Sequence, residues 1–131
     1  MLNKLVQGIT TVGDIKVVNT TPHAITMVSS DLSTQVQIPV SGALVNATAT
    51  TTPVDSGIVG VKYQKTQFIP DVNTLKALKD FKSQYPDVVI IGSLIAAQAY
   101  KGLIAAMVAH PDYMRVAPQD KKMLIDTYTI Y

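Results

Sequence analysis

The stretch that decides the fold is VVIIGSLIAAQAYKGLIAAMV, residues 88–108. It begins with four β-branched residues, Val88 to Ile91, and ends with a second apolar run, Leu103 to Val108. Continuous apolar runs of this length are typical of strands that are buried on both faces. Gly92-Ser93 predicts a turn, and Leu94 to Tyr100 is long enough for two turns of helix. The stretch therefore predicts a strand, a short helix and a second strand, although the crossover is close to the shortest that joins parallel strands.

The same region is long enough to be considered as a transmembrane helix. Residues 88–109 contain a single charged side chain, Lys101, and about 20 apolar residues span a bilayer. Lys101 would lie well inside the bilayer, at a cost of roughly 2.5–3.5 kcal/mol. The opening residues, 1–8, are too short and too interrupted to form a signal peptide. We therefore expect a cytoplasmic protein without a membrane partner.

Turn residues divide the first half of the chain into short strands. Proline, glycine and serine interrupt β-prone segments at intervals that are typical of antiparallel sheets. The predicted strands are Ile15–Asn19, Ala24–Ser29, Val36–Ile38, Ala43–Thr52, which Pro53 would end, and Ile58–Lys65.

The pattern becomes helical after residue 70. Leu75, Leu78 and Phe81 recur at helical spacing, with Asp71 or Asn73 as the capping residue. Near the end of the chain we expect a turn of helix over residues 119–124 and a last strand over residues 126–131. The predicted fold class is α+β in one domain, residues 1–131. Its first half is antiparallel and β-rich, and a helix and the short β-α-β segment follow.

The composition excludes several classes of protein. Of the 131 residues, 47% are apolar and 15% are charged, whereas about 25% are charged in a typical domain, so the chain is not intrinsically disordered. It has no cysteine, which excludes disulfides and thiolate metal sites, and its net charge of +2 predicts no nucleic-acid partner. Because charge is so sparse, we expect another subunit to cover part of the apolar surface, as in a homo-oligomer.

The two histidines, His23 and His110, each stand beside a proline. Neither belongs to a His-x-Thr or His-x-Ser motif, in which paired imidazoles act as acid and base in phosphoesterases. The chain has no Glu, and His110 with Asp112 makes a poor metal site. We expect no catalytic residue, no metal and no cofactor. His23 is a candidate ligand contact, or else a side chain that is hydrogen-bonded within its turn.

Two other positions could contact an anion. Ser93 lies between a buried strand and a helix, where its hydroxyl could bind a phosphate or only cap the helix. Arg115 is the only arginine and lies close to Tyr113 in a predicted loop. A guanidinium binds phosphate through two parallel hydrogen bonds, and both side chains stack on planar rings. A salt bridge is the structural alternative for Arg115, and Tyr100 could either join this site or pack in the core.

Short motifs in the chain resemble those of a family of small bacteriophage accessory proteins. The segment VVNTTPHAI, residues 17–25, resembles their Asn-x-Thr-Pro-His opening, and Ile38-Pro39 with Ser41-Gly42 resembles the turn that follows it. Residues 89–97, VIIGSLIAA, are similar to their later strand, turn and helix. The family often has an arginine soon after the Ser-Gly turn, where this chain has Ala43-Leu44-Val45. The chain is also similar to phage anti-CBASS sponge proteins, which sequester cyclic dinucleotide signals of host defence.

The resemblance implies a non-enzymatic oligomer in the host cytoplasm that holds a cyclic dinucleotide, or a related phosphorylated small molecule, between subunits. The alternatives are a structural or protein-interaction component of a phage without a small-molecule ligand and, third, a phosphodiesterase that uses His23 or His110. In the leading interpretation, polar recognition, anion contact and stacking come from seven residues: Asn19, Thr21, His23, Ser93, Tyr100, Tyr113 and Arg115.

Overall fold

The computed structural model describes all 131 residues and has the predicted α+β class. Its helices are α1 Leu2–Gln7, α2 Val72–Gln84 and α3 Leu94–Ala99. Its strands are β1 Thr10–Val12, β2 Ile15–Asn19, β3 Ile25–Val28, β4 Gln35–Ile38, β5 Thr48–Asp55, β6 Lys62–Ile69, β7 Val88–Gly92, β8 Ile104–Ala109 and β9 Met123–Thr129. Single turns of 3-10 helix, Pro111–Tyr113 and Pro118–Asp120, lie between β8 and β9.

Seven strands form one sheet in the order β1-β2-β7-β8-β9-β3-β4. The predicted strand, helix and strand over residues 88–108 form a parallel unit, in which Ile90 of β7 pairs with Ile104 of β8. β2 also runs parallel to β7, and β3 runs parallel to β9, whereas β8 and β9 are antiparallel. The ends of β2, β7 and β8 therefore lie at the same end of the sheet as the beginnings of β3 and β9.

The two faces of the sheet bury two separate cores, because successive side chains of a strand point to opposite faces. Val17 and Ile91 belong to one core, and their neighbours Val18 and Ile90 belong to the other. The second core is the larger and is covered by the three helices, chiefly through Leu5, Leu78, Phe81, Ala96 and Ala97. The first core also contains Val12 of β1 and Val36 of β4. The two edge strands therefore approach each other, and the sheet is nearly closed on itself.

Helix α2 begins as the sequence predicts. Asp71 is its N-cap, and its side chain accepts a hydrogen bond of 2.9 Å from the backbone N–H of Thr74. This bond favours the carboxylate and lowers the pKa of Asp71. Near the end of the chain, the expected helical turn is shorter than predicted. Leu124 lies in β9, because the pairing of β9 with β3 and β8 takes in residues 123–129.

β5 and β6 form a separate two-stranded hairpin, residues 48–69, which we call the arm. The expected strand end at Pro53 is wrong, because Pro53 lies inside β5 opposite Gln64. A proline is tolerated there when its missing N–H faces away from the partner strand. Residues 58–61, expected to begin a strand, instead belong to the tip between β5 and β6.

α1 and β1 were not expected from the sequence, since the first residues show no clear periodicity. Leu5 of α1 is nevertheless fully buried in the larger core. None of the helices has both the length and the apolar character needed to cross a membrane.

Candidate functional site

A cavity of about 670 Å³ opens at the end of the sheet where β2 and β7 stop and where β3 and β9 begin. Sites for small molecules are commonly of this size and occur where strands end at an open rim. Polar and apolar side chains share the lining, which consists of Thr21, His23, Ala24, Ile25, Thr26, Ser93, Met107, Pro118, Gln119, Lys121 and Met123. Three of the residues selected from the sequence, Thr21, His23 and Ser93, therefore meet at one cavity.

The turn after β2 is shaped by Asn19, which is fully buried. Its Oδ1 accepts hydrogen bonds from the backbone N–H of Thr21 at 2.9 Å and from the Thr21 hydroxyl at 2.6 Å. Its Nδ2 donates to the carbonyl oxygen of His23 at 2.8 Å. The Asn19 side chain is thus occupied within the protein and does not line the cavity. Its role in the structure is to position Thr21 and His23 at the rim.

The turn after β7 brings Ser93 to the rim next to the turn after β2, because β2 and β7 are neighbouring parallel strands. Gly92 packs so closely that a Cβ built on it would lie 2.5 Å from Cγ2 of Ile104, so only glycine fits without displacing the Ile104 side chain. Ser93 then caps α3, and its Oγ accepts a hydrogen bond of 3.1 Å from the N–H of Ala96. The capping role that the sequence left open is therefore present. The hydroxyl hydrogen of Ser93 remains available to a ligand.

The only cationic side chain that lines the cavity is Lys121, a residue that no local sequence motif marks. Lys121 is half-buried and lies two residues before the start of β9. No carboxylate lies within 4.0 Å of its ammonium group, since the only lysine with a carboxylate that close is Lys16, which lies beside Asp87. A half-buried cation without an anionic partner is available to an anionic ligand.

The apolar part of the lining comes from β3, β8 and β9. Ile25, Met107 and Met123 belong to or pack against the core on this face of the sheet. Thioether side chains are flexible and polarisable, and they make favourable contacts with aromatic rings. A planar ring would therefore find an adaptable surface beside Lys121.

Tyr100, expected as a possible member of the site, is placed elsewhere by the structure. It is fully buried in the helix-covered core. Its hydroxyl accepts a hydrogen bond of 2.9 Å from the N–H of Asp71 and donates one of 3.0 Å to the carbonyl oxygen of Asn46. Both roles of the hydroxyl are used internally, so Tyr100 joins the start of α2 to the segment before β5.

Tyr113 and Arg115, expected to stack on a ligand and bind its phosphate, are also absent from the lining. The Tyr113 ring contacts the ammonium group of Lys122, which lies 4.7 Å from the ring centroid. Arg115 is exposed, and neither a salt bridge nor a side-chain hydrogen bond involves it. Both residues do lie in the connection between β8 and β9 that supplies Pro118, Gln119 and Lys121 to the cavity.

The second histidine, His110, lies away from the cavity. It is 5% exposed, and its Nε2 is 2.8 Å from the carbonyl oxygen of Ser30. Its Nδ1 accepts a hydrogen bond of 3.1 Å from the N–H of Asp112, so the neutral ring with a proton on Nε2 satisfies both contacts. His23 and His110 therefore do not form an acid–base pair. No three side chains of the types that bind metals lie close enough together to hold an ion.

No protein-family model, curated protein or solved structure matches the chain. What the cavity can bind must therefore follow from its own geometry. It offers one cation, the hydroxyls of Thr26 and Ser93, and an apolar wall that contains two methionines. This combination suits a small molecule that carries both an anionic group and a planar ring.

The sequence alone does not predict three of the lining residues, Lys121, Met107 and Met123, because none of them belongs to a recognisable binding motif. Lys121 is one of ten lysines, and the two methionines are typical of strands that face a core. They come together only because β9 pairs with both β8 and β3.

Proposed function

We propose that the protein is a non-catalytic binding protein that sequesters a small phosphorylated ligand with a planar base in this cavity. The specific ligand class we propose is a cyclic dinucleotide, which matches the resemblance to phage sponge proteins. In that role the protein acts in the cytoplasm of an infected host and withdraws an immune signal from anti-phage defence. The observation that carries the proposal is the convergence of Thr21, His23 and Ser93 with the unpaired cation of Lys121 around one cavity.

Each part of such a ligand has a counterpart in the lining. A phosphate oxygen can pair with the ammonium group of Lys121 and accept a hydrogen bond from the hydroxyl of Ser93. A base can lie against Met107 and Met123, with the exposed ring of His23 at the rim. A second phosphate would depend on neutral donors such as Thr26 and Gln119, because the cavity has no second cation.

A catalytic role receives less support from the same geometry. Cleavage of a phosphodiester needs a positioned acid and a positioned base near the reacting bond. His23 is the only imidazole at the cavity, and its ring makes no hydrogen bond with another side chain. The proposal is therefore one of binding without turnover.

A second candidate function, a structural or protein-interaction component of a phage, is favoured by a different observation. The arm exposes nearly all of its side chains, and Val59 at its tip is fully exposed. An exposed apolar segment of this kind is typical of a protein contact.

A retention experiment separates these functions. The purified protein is incubated with cyclic di-GMP, cyclic GMP–AMP, their linear counterparts and cyclic mononucleotides, then desalted and denatured by heat. We expect a cyclic dinucleotide to be retained and released intact. Release of a linear product would indicate an enzyme. Retention of none of the compounds would reject the binding proposal and favour the structural one.

A further inference from the structure

The arm carries features that the cavity does not explain. Of its sixteen strand residues, fourteen are exposed, and only Val54 and Phe68 are half-buried. Each strand has eight residues, which at 3.3 Å per residue makes an arm about 26 Å long. A two-stranded hairpin alone is at best marginally stable in water. An arm of this length is therefore expected to lie against another surface.

The outer edge of β6 is ready to pair with a further strand. β5 and β6 pair only with each other, so each has one open edge. Pro53 has no N–H to offer and lies opposite Gln64. This pair therefore fits a non-hydrogen-bonded position of the ladder, where the N–H and C=O groups of both residues point to the outer edges of the arm. By alternation, the backbone N–H and C=O groups of Thr66 and Phe68 also point to the outer edge of β6. That edge therefore keeps all its N–H donors, whereas the outer edge of β5 lacks one at Pro53.

Two exposed apolar patches lie at opposite ends of the arm. The tip patch is formed by Ile58, Val59 and Val61. The base patch is formed by Ile69 and Val72, where the arm meets the body, and by Leu94 and Ile95 of α3, which packs against β6. The two patches are separated by the length of the arm, so the tip of an arm cannot cover the base of its own.

We propose that two copies of the protein form a twofold dimer through their arms, in which the open edges of β6 pair antiparallel. Antiparallel pairing places the tip patch of each arm beside the base patch of the other copy. The twofold symmetry therefore forms the same contact between a tip patch and a base patch twice. Stable dimers bury about 800 Å² on each partner, and the patches add apolar area to what the strand edges bury. The proposal does not depend on a ligand in the cavity.

The charges on β6 restrict where the symmetry axis can pass. An axis beside Lys65 would place two ammonium groups directly opposite each other, which is unfavourable. An axis beside Gln64 or Thr66 keeps the two Lys65 ammonium groups from facing each other. It also lets the outward-pointing N–H and C=O groups of the two β6 strands form hydrogen bonds with each other. Val59 of one copy then lies level with residues 69–73 of the other. We therefore place the dimer axis beside one of these two uncharged residues.

The first test is the mass of the purified full-length protein, measured by light scattering over a range of concentrations. We expect twice the chain mass of 14.1 kDa. Val59→Asp should raise the dissociation constant of the dimer at least tenfold, because a carboxylate would be buried in the base patch. Ile130→Asp, which alters an exposed apolar residue outside the arm, should leave it unchanged. A monomeric wild-type protein, or a dimer that Val59→Asp does not weaken, would overturn the proposal.

The second test is disulfide formation, which is clean because the chain has no cysteine of its own. Opposed residues in a hydrogen-bonded antiparallel pair have Cα atoms about 5.5 Å apart, within the reach of a disulfide. Gln64→Cys or Thr66→Cys should therefore form a covalent dimer under mild oxidation. Thr51→Cys, on the edge of β5, is the matched control and should not. Absence of cross-linking at both β6 positions, or equal cross-linking by the control, would contradict pairing through β6.

Discussion

Asn19 holds Thr21 at two points, since one carboxamide oxygen accepts both the backbone N–H and the side-chain hydroxyl of Thr21. The same side chain donates to the carbonyl oxygen of His23. Because Asn19 is fully buried, water does not compete for these hydrogen bonds. The turn between β2 and β3 is therefore fixed by a residue beneath it, and two rim residues of the cavity depend on that residue for their position.

Replacement of Asn19 should destabilise the whole domain. In Asn19→Ala, Thr21 and the carbonyl oxygen of His23 lose three hydrogen bonds to this side chain, and each such bond contributes about 0.5–1.5 kcal/mol. We expect the free energy of unfolding, measured by urea denaturation, to fall by about 2–4 kcal/mol. Asn73→Ala is the control, because Asn73 is exposed near the start of α2 and its side chain makes no hydrogen bond. A loss in Asn19→Ala no larger than that of the control would remove Asn19 from this role.

Tyr100→Phe should lower stability and leave ligand binding intact. The lost hydroxyl joins the N–H of Asp71 to the carbonyl oxygen of Asn46, and we expect a decrease of about 1–3 kcal/mol in the free energy of unfolding. Tyr85→Phe is the matched control, since Tyr85 packs against Phe81 through its ring. Thermal and urea denaturation of the two variants give the comparison. Weaker retention of the cyclic dinucleotide by Tyr100→Phe would show that the buried tyrosine affects the cavity after all.

The turn between β3 and β4 should respond to acid through Asp31. The hydroxyls of Ser33 and Ser29 each donate to Oδ1 of Asp31 at 2.7 Å, and these bonds lower its pKa from 3.8 to about 2. A lowered pKa means that the folded protein prefers the carboxylate. The stabilisation is therefore complete well above pH 3.8 and is lost as the pH falls through this value towards 2.

Carboxyl chemical shifts in an NMR titration can test this assignment directly. Ser33→Ala removes the largest cause of the shift, so the midpoint of Asp31 should move up towards 3.8. Ser56→Ala, which alters a serine that bonds to carbonyl oxygens in the arm, should leave the midpoint where it is. An Asp31 midpoint that Ser33→Ala does not move would assign the lowered pKa to another cause.

The wild-type protein should not convert its ligand. His23 has no partner that could act as a second acid or base, because His110 is held by Ser30 and Asp112 away from the cavity. Prolonged incubation with cyclic di-GMP and cyclic GMP–AMP, followed by chromatography, should recover both compounds unchanged. A linear product that appears with the wild-type protein and disappears with His23→Ala would establish an enzyme instead.

Local signals were sufficient for the elements that the chain defines by itself. Asp71 with the spacing of Leu75, Leu78 and Phe81 predicts α2, and the apolar run of β7 followed by Gly92-Ser93 predicts the strand and the turn after it. Each of these is set by residues that are neighbours in sequence, which is the range over which periodicity and capping act.

The candidate site could be predicted only in part, because it is assembled by strand pairing. Thr21 and Ser93 meet because β2 lies parallel to β7, and Lys121 joins them because β9 lies between β8 and β3. Arg115 was selected for the chemistry of its side chain, but nothing local determines the direction in which an exposed loop residue points. The strand end predicted at Pro53 was wrong for a related reason, because it depends on strand pairing. A proline fits inside a strand that has one unpaired edge, and β5 pairs only with β6.

The most direct measurement of the central claim is a calorimetric titration of the cyclic dinucleotide that the protein retains. Wild-type protein should bind it, and Lys121→Ala should bind it about 10- to 100-fold more weakly, because a charge-assisted hydrogen bond contributes roughly 1.5–3 kcal/mol. Lys122→Ala removes the neighbouring lysine, which lies over Tyr113 instead, and should change the affinity by less than about twofold. Equal affinity of the wild-type and Lys121→Ala proteins, or a loss found in Arg115→Ala and not in Lys121→Ala, would contradict the placement of the ligand in this cavity.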